Sequence, residues 1–525
     1  MSFANLLSTR SLINDFREQG LVIQDRVRNF LRNEVVTTQL GYGSYRVYSD
    51  NKIHRESLLV ALQSGVNLID TSSNFTYGES EKMIGMVLSE MRSRSSKDHF
   101  ILVSKVGYLQ GPALQEIRKL EEEGRAFQEM IKLDSVCWYC IEPDFIRHQF
   151  FESLKRLQVE KLDVYLIQNP EYFFISSRKD GVEPSEARIE LYRRIQEAFI
   201  TLEQLVREGF IKYYGISSNT LGYFPDEYDF INLNEVVECA SRAAQVVNGS
   251  KENHHFQVIQ MPANLIEHQL ISVGNNQYEN EWYSVLERAN QLNLDVLLNR
   301  PLNASYKQGY LQIARKKFDS DRDYNKDLQN IFSSVSAIET QIINKIRLIP
   351  GLEKSLKSIR EGEFKLFEMG RELIHLWPEI EDKDHLQAIV DRYLMPHTQR
   401  SVESLMENSI SYSGNVIEDV DRYLSYFAEF ENIGEEALNQ RLFCEKLTPI
   451  FKDLENLFLA EDSSCWVKAS LSFLADLPGK PIILNGMRSK DYVRSSGEFL
   501  IEDRKDYRER LEALRNKFNH FKVVD

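Results

Sequence analysis

The sequence predicts an α/β protein built as a (β/α)8 TIM barrel, with an N-terminal helical extension and a large α-helical insertion between strands 7 and 8. Eight short apolar segments alternate with helical segments, and each has Gly, Ser, Asn or Pro at or next to its last residue. Strands that are apolar on both faces are typical of parallel sheets covered by helices. The alternation also fits an open, doubly wound sheet, but eight strand–helix units are the number that closes a barrel.

The eighth candidate strand is separated from the seventh by a far longer stretch than any other pair. The candidate strands lie at 35–44, 66–73, 100–108, 162–170, 211–219, 256–264, 294–302 and 481–489. The long stretch is mostly amphipathic and helical in pattern, and such helices need a partner surface. We therefore predict a helical extension at 1–34, barrel strands 1–7 at 35–309, an inserted helical subdomain at 310–445, and strand 8 with C-terminal helices at 446–525.

Composition excludes several classes of protein. The chain has 525 residues and a net charge of −15, with 42% hydrophobic residues, so a general nucleic-acid binder and a globally disordered chain are both excluded. A local basic patch remains compatible with that charge. No apolar run approaches the roughly 18 residues that span a bilayer, no signal peptide is recognisable, and five cysteines do not form a disulfide scaffold. We expect a cytoplasmic protein without membrane, nucleic-acid or metal partners.

The strand ends carry motifs that resemble those of the aldo-keto reductase family, across roughly 35–305 and 447–495. The motifs follow the family's order: GYGSYR, GVNLIDTS leading through NFTYGESE to Gly85, SKVGY, LIQNPE, GFIKYYGISSN, VIQMPANLIE, LLNRPLNA and GMRS. The resemblance implies a barrel that binds NADPH or NADH without a Rossmann motif and reduces carbonyls of small-molecule substrates by hydride transfer. The chain contains no G-x-G-x-x-G after a strand, which agrees.

The family's catalytic aspartate and lysine match Asp70 and Lys105, at the ends of the second and third candidate strands. A lysine ammonium lowers the pKa of a neighbouring phenol, so that the phenol can donate a proton near neutral pH. From the residues alone, the same two side chains also fit a plain buried ion pair that joins two strands.

The other two catalytic positions of the family are replaced. Phe75 stands where the family has its proton-donating tyrosine, and Gln168 stands where it has a histidine. Phenylalanine has no dissociable proton, and glutamine forms hydrogen bonds but does not titrate. Tyr77 is a candidate replacement acid on a rearranged loop, or a loop aromatic that packs on the rim. A bound water, or a substrate that needs no acid, is the other route.

The resemblance assigns the nicotinamide carboxamide to Ser218, Asn219 and Gln260, at the ends of the fifth and sixth candidate strands. Strand-end capping is the alternative role for these polar side chains. Arg300 ends the seventh candidate strand, where many family members stack an aromatic ring on the nicotinamide. Since no aromatic residue is present there, the resemblance leaves stacking in doubt.

A phosphate site is predicted after the eighth candidate strand, where Gly486, Arg488 and Ser489 open a helix. A helix N-terminus with a glycine and an arginine suits phosphate groups. Arg488 favours NADPH over NADH as the expected cofactor.

Two functions remain open at this level. The first is an NAD(P)H-dependent oxidoreductase with an altered proton donor, acting on an unknown carbonyl or imine. The second is a catalytically degenerate barrel that binds a nucleotide, or that binds a protein partner through the insertion. The insertion follows strand 7 and so leaves the barrel at the end where active sites lie, as a lid, a cofactor cover, a binding surface or a packed accessory bundle.

Overall fold

The computed structural model describes most of the chain in two compact units. The described residues are 3–92, 99–306, 309–313, 322–348, 369–380, 414–442 and 466–506, with a few short pieces between 386 and 403 and between 508 and 512. The first unit comprises residues 1–304, 312–314 and 457–522, and the second comprises residues 305–311, 315–456 and 523–525. No helix in these described ranges is both long and apolar enough to cross a membrane.

The first unit is built around a closed barrel of eight parallel strands, which confirms the predicted fold class. In chain order the strands are β1 Leu40–Gly43, β2 Leu68–Asp70, β3 Ile101–Val106, β4 Leu162–Gln168, β5 Ile211–Ser217, β6 Phe256–Pro262, β7 Asp295–Asn299 and β8 Ile482–Gly486. Each candidate segment contains one of them. β8 pairs with both β7 and β1. Because all strands run the same way, their carboxyl ends meet at one face, where barrel enzymes place their sites.

Helices cover the barrel, and short additional strands form small sheets in the connections between its elements. The helices of the first unit are Leu6–Glu18, Lys52–Gln63, Glu79–Arg92, Gly111–Glu122, Pro143–Leu157, Tyr172–Lys179, Pro184–Arg207, Leu233–Asn248, Gln269–Ser272, Val285–Gln291, Trp466–Ala475 and Lys490–Gly497. Additional strands are Val27–Phe30, Val35–Thr38, Tyr108–Gln110, Ile131–Lys132, Cys137–Tyr139, Gly274–Tyr278, Glu281–Ser284, Asn303–Tyr306 and Gly309–Gln312. Gly215 is required in β5, because a Cβ there would lie 1.7 Å from the carbonyl oxygen of Val258 in β6.

The N-terminal extension contains an α-helix at Leu6–Glu18 and a one-turn 3-10 helix at Gln24–Arg26, so the prediction of helix up to residue 34 is wrong from residue 27 onward. Val27–Phe30 pairs antiparallel with Val35–Thr38. The turn between them holds Leu31, Arg32 and Asn33 in the left-handed region, with φ of 51, 55 and 67°. Pairing is favoured because Phe30, Leu31 and Val35 then join the buried cluster inside the barrel. The first candidate segment therefore contains a hairpin strand as well as β1.

The second unit contains helices that stand between β7 and β8 in the chain, as the fold class predicted. They are Tyr324–Arg347, Met369–Leu376 and Gly414–Leu442. Their buried side chains form a core of their own, which includes Phe332, Val335, Tyr423 and Phe430. The predicted start of the subdomain at 310 falls in the strand Gly309–Gln312, and the predicted end at 445 lies outside the described residues.

Candidate active site

A buried ion pair lies at the carboxyl end of β2 and β3. Nζ of Lys105 is 2.7 Å from both carboxylate oxygens of Asp70 and donates to the carbonyl oxygen of Thr71 at 2.7 Å. Lys105 is 0% exposed and Asp70 is 4% exposed. Burial lowers the pKa of the Lys105 ammonium and raises the pKa of the Asp70 carboxyl, while their mutual attraction opposes both shifts. All three ammonium protons thus have acceptors.

Gln260 of β6 connects this pair to the other side of the barrel. Its Nε2 donates to Oδ1 of Asp70 at 2.8 Å. Its Oε1 accepts from the hydroxyl of Ser217 at 3.0 Å and from the amide of Asn299 at 3.3 Å. One N–H of the Gln260 amide and its oxygen are therefore engaged within the protein, and the side chain holds the carboxylate from a second direction.

Phe75, which is predicted to stand at the position of the family's tyrosine, packs on the ion pair. The ring of Phe75 is buried in a 3-10 turn at Phe75–Gly78, and the ring of Tyr45 meets it edge to face with centroids 5.2 Å apart. Phe75 covers Lys105 with an apolar face where a phenol would bring a hydroxyl group.

Gln168, which is predicted to stand at the position of the family's histidine, is fixed at the end of β4. The hydroxyl of Tyr139 donates to its carbonyl oxygen at 2.9 Å. The hydroxyl of Ser72 lies 2.6 Å from Oε1 of Gln168 and 2.7 Å from Oδ1 of Asn74, and its one proton serves one of these acceptors. Nε2 of Gln168 donates to no described residue. Gln168 can thus offer an N–H group to an oxygen or nitrogen beside it.

Tyr77 is not brought together with these side chains. It is 60% exposed, and its ring packs on the backbone of Gly111, where an added Cβ would lie 2.7 Å from the ring. Its backbone is left-handed, with φ of 58°. The loop thus directs Tyr77 outward, in the manner of a rim aromatic.

The residues predicted to bind the nicotinamide carboxamide differ in how many of their hydrogen-bonding groups lack a partner among the described residues. The hydroxyl of Ser218 is buried and lies 3.3 Å from that of Thr220. The side chain of Asn219 is half-buried and makes no hydrogen bond to a described residue, and its backbone N–H donates to Glu171 at 2.8 Å. Asn299 was not singled out from the sequence. Its Oδ1 is buried without a partner among the described residues.

The predicted phosphate residues lie at the end of β8, on the surface. Gly486 has open space where a Cβ would stand. Arg488 is exposed and forms no ion pair within the described ranges. Ser489 caps the helix Lys490–Gly497 by accepting from the N–H of Tyr492. Arg300, at the end of β7, pairs with the buried carboxylate of Glu267 at 2.9 Å.

Glu171 is a residue of interest that sequence reasoning did not assign. It follows the Asn-Pro step after β4, it is buried, and burial raises its pKa to about 7. Its Oε1 accepts the Asn219 N–H, whereas its Oε2 has no hydrogen-bond partner in the described part of the chain. A carboxyl in the Asn-Pro-Glu motif was the available signal, but nothing in the sequence shows that it is buried.

Residues 38–226 match the model of the aldo/keto reductase family. This confirms the predicted resemblance to the family over residues 38–226. A curated relative, the NADH-specific methylglyoxal reductase of Escherichia coli, is 23% identical over 141 residues, which are 25% of this chain and 38% of that protein. The chain therefore spans well under half the length of this relative.

Two solved structures match nearly the whole length of the chain at low identity. A glycerol dehydrogenase from Gluconobacter oxydans is 17% identical, with 94% of this chain and 95% of that chain covered and a TM-score of 0.44. An aldo-keto reductase from Bacillus halodurans, in a holo form, is 14% identical with the same coverage and a TM-score of 0.43. Likeness at this level does not extend to substrate or cofactor.

Proposed function

We propose that this protein is an NAD(P)H-dependent oxidoreductase that reduces a carbonyl or imine carbon with an altered proton donor. The observation that carries the proposal is the buried Asp70–Lys105 pair at the carboxyl end of the barrel strands. A buried ion pair adds little net stability, because the loss of hydration offsets the attraction between the charges. Its position at the face where barrel enzymes place their catalytic groups favours a chemical role over a structural one.

The residues around the pair fit a nicotinamide cofactor. The unpartnered Oδ1 of Asn299 is an acceptor, and the free amide of Asn219 supplies both a donor and an acceptor, which is what a carboxamide group needs. Arg488 and the open backbone at Gly486 suit the phosphates. When bound, this cofactor supplies the hydride. We propose NADPH on account of Arg488, and NADH as the second choice, since the relative in Escherichia coli is named NADH-specific.

The source of the proton in the proposed reaction differs from that in an enzyme whose acid is a tyrosine. If a carbonyl carbon accepted a hydride, the π electrons of the C=O bond would move to the oxygen, which would then need a proton. Gln168 would donate a hydrogen bond to that oxygen and orient it, but would not give up its proton. Water protonates a carbonyl oxygen, whereas a protonated imine already carries its proton. This favours substrates that need no protein acid.

Cofactor binding provides the first test. Purified protein is titrated with NADPH and with NADH while the fluorescence of its four tryptophans is followed. We expect saturable quenching. No binding at millimolar concentrations of either cofactor would exclude the oxidoreductase and leave the degenerate barrel, with a protein partner at the insertion.

Turnover on a panel of substrates is the second test. The panel contains methylglyoxal, other aldehydes, quinones and cyclic imines, and NADPH oxidation is followed for the wild type and for Tyr77→Phe. We expect imines to be reduced fastest and the two proteins to have equal rates, because Tyr77 points away from Lys105. A lower turnover rate for Tyr77→Phe than for the wild type would indicate that Tyr77 is the proton donor after all.

A further inference from the structure

A groove of about 670 Å³ lies at the opposite end of the barrel from the candidate active site. It is bounded by the N-terminal helix, the hairpin at 27–38 and the turn at Gly479–Lys480 that leads into β8. We call it the basic groove, because its charged lining residues are Arg10, Arg17, Arg28 and Lys480, and none of its lining residues is acidic.

Three of the four cations have no ion-pair partner among the described residues. Arg10 and Arg17 are exposed, and Lys480 is half-buried. By contrast, the exposed Arg242 pairs with Glu238 at 3.0 Å, and the half-buried Arg147 pairs with Glu208 at 2.7 Å. The basic groove thus brings together three cations that no described carboxylate neutralises.

The fourth cation, Arg28, is bound within the protein and forms part of the wall of the groove. Arg28 pairs with the buried Asp295 at the start of β7. It also donates to the carbonyl oxygens of Lys480 at 2.5 Å and Gly479 at 3.1 Å. These bonds fix the turn before β8 against the hairpin, so the groove has a rigid wall.

The remaining lining favours a small ligand over a flat charged surface. Arg10, Asn14 and Arg17 are spaced by four and three residues, so they lie on one face of the N-terminal helix. The buried Ile13 and Val27 give the groove an apolar floor. The volume falls in the range of about 300–1,000 Å³ that is typical of small-molecule sites. Arginine side chains bind phosphate oxygens in pairs.

We propose that the basic groove is a second, non-catalytic site that binds a small diphosphate or polyphosphate anion, free in solution. The charge comes from Arg10, Arg17 and Lys480, and the amides of Asn14 and Asn29 supply uncharged hydrogen bonds. Because the groove lies at the amino-terminal ends of the strands, occupation leaves the candidate active site open.

Inorganic pyrophosphate is the probe that tests this site. Binding to the full chain is measured by calorimetry at low and at physiological salt, in the wild type and in Arg488→Ala, so that pyrophosphate held at the proposed cofactor site is recognised separately. The groove variant is Arg10→Gln with Arg17→Gln, both on an exposed helix face. A matched control, Arg125→Gln with Arg242→Gln, removes the same charge from two exposed arginines elsewhere.

We expect one binding event that persists in Arg488→Ala, weakens by about tenfold or more in the groove variant, and is unchanged in the control. Absence of binding at millimolar pyrophosphate would overturn the proposal. Equal weakening in both double variants would also overturn it, because binding would then depend on the overall charge of the protein and not on the basic groove. A single-stranded oligonucleotide is titrated in parallel. If it binds more tightly than pyrophosphate and with a steep salt dependence, the groove is a nucleic-acid contact instead.

Discussion

The centroid of the Phe75 ring lies 4.8 Å from the ammonium nitrogen of Lys105. The cation–π interaction holds the lysine charge, but the phenylalanine ring has no proton to give. Under the proposed function, the side chain at position 75 therefore decides whether a general acid stands beside Lys105.

The substitution Phe75→Tyr, combined with Gln168→His, is expected to increase aldehyde reduction. A general acid beside a lysine contributes typically about 10² to 10⁴ in rate, so a gain of at least tenfold is expected if the new hydroxyl reaches the substrate. The measurement is kcat/KM for aldehydes against that for imines. Imine reduction should change little, since a protonated imine needs no acid. A proportional gain on both substrates would contradict this account of the proton.

The substitution Lys105→Met is expected to destabilise the protein strongly, because it leaves the Asp70 carboxylate buried without its partner. Removing one member of a buried pair typically costs about 3–5 kcal/mol. The free energy of unfolding is measured with urea. Lys82→Met serves as the control, because it breaks an ion pair at 2.6 Å on an exposed helix face, worth about 1 kcal/mol or less. Equal losses in the two variants would show that Asp70 is not held charged.

The buried Glu171 is expected to make stability fall as the pH rises towards neutrality. Its pKa is raised from 4.5 to about 7 in the folded chain, so between these values the folded state binds more protons than the unfolded state. Its stabilising contribution is therefore complete below about pH 4.5 and is lost as the pH rises through 7. The difference amounts to about 3 kcal/mol, at about 1.4 kcal/mol per pKa unit.

Glu171→Gln keeps an oxygen for the Asn219 N–H and cannot ionise. We expect this variant to be more stable than the wild type at pH 8 and about equal to it at pH 4.5. Unfolding free energies across this range provide the measurement, with Glu122→Gln on an exposed helix face as control. If both variants follow the wild-type pH profile, the pKa of Glu171 is not raised in the folded state.

Arg488→Ala is expected to weaken cofactor binding without affecting stability. Arg488 is exposed and forms no ion pair in the described ranges, so its removal breaks no ion pair there and the melting temperature should stay within about a degree. Loss of a charge-assisted contact to phosphate should weaken NADPH binding by about tenfold. A larger effect on NADPH than on NADH would place Arg488 near the 2′-phosphate, whereas an unchanged Kd for both would remove it from the site.

The barrel was predictable because its strands are buried on both faces and end in recognisable residues. Asp70, Lys105 and Gln168 lie at the carboxyl ends of their strands as those segments suggested. The hairpin at 27–38 was not predictable in the same way. Val27, Phe30 and Leu31 fit a helical repeat as well as a strand, and pairing with Val35 decides between them.

Other features depend on three-dimensional distances between side chains, and the spacing of residues along the sequence does not determine these distances. The outward position of Tyr77 follows from the left-handed backbone of its turn. No residue pattern around Tyr77 predicts that conformation. The burial of Glu171 and the unpartnered oxygen of Asn299 follow from how neighbouring strand ends pack. Sequence reasoning identified the ion pair, therefore, but not the polar groups that surround it.

The position of β8 has a consequence for how the protein is made. β1 and β7 are joined only through β8, and residues 300–481 separate β7 from β8 in the chain. At synthesis rates of about 5–20 residues per second, a ribosome needs roughly 10 to 40 s to translate that stretch. During this interval the nascent chain carries seven barrel strands with both outer edges unpaired, and such edges invite pairing with other chains. Closure of the barrel thus awaits translation of the insertion, and slowing elongation there prolongs the period in which the growing protein can aggregate.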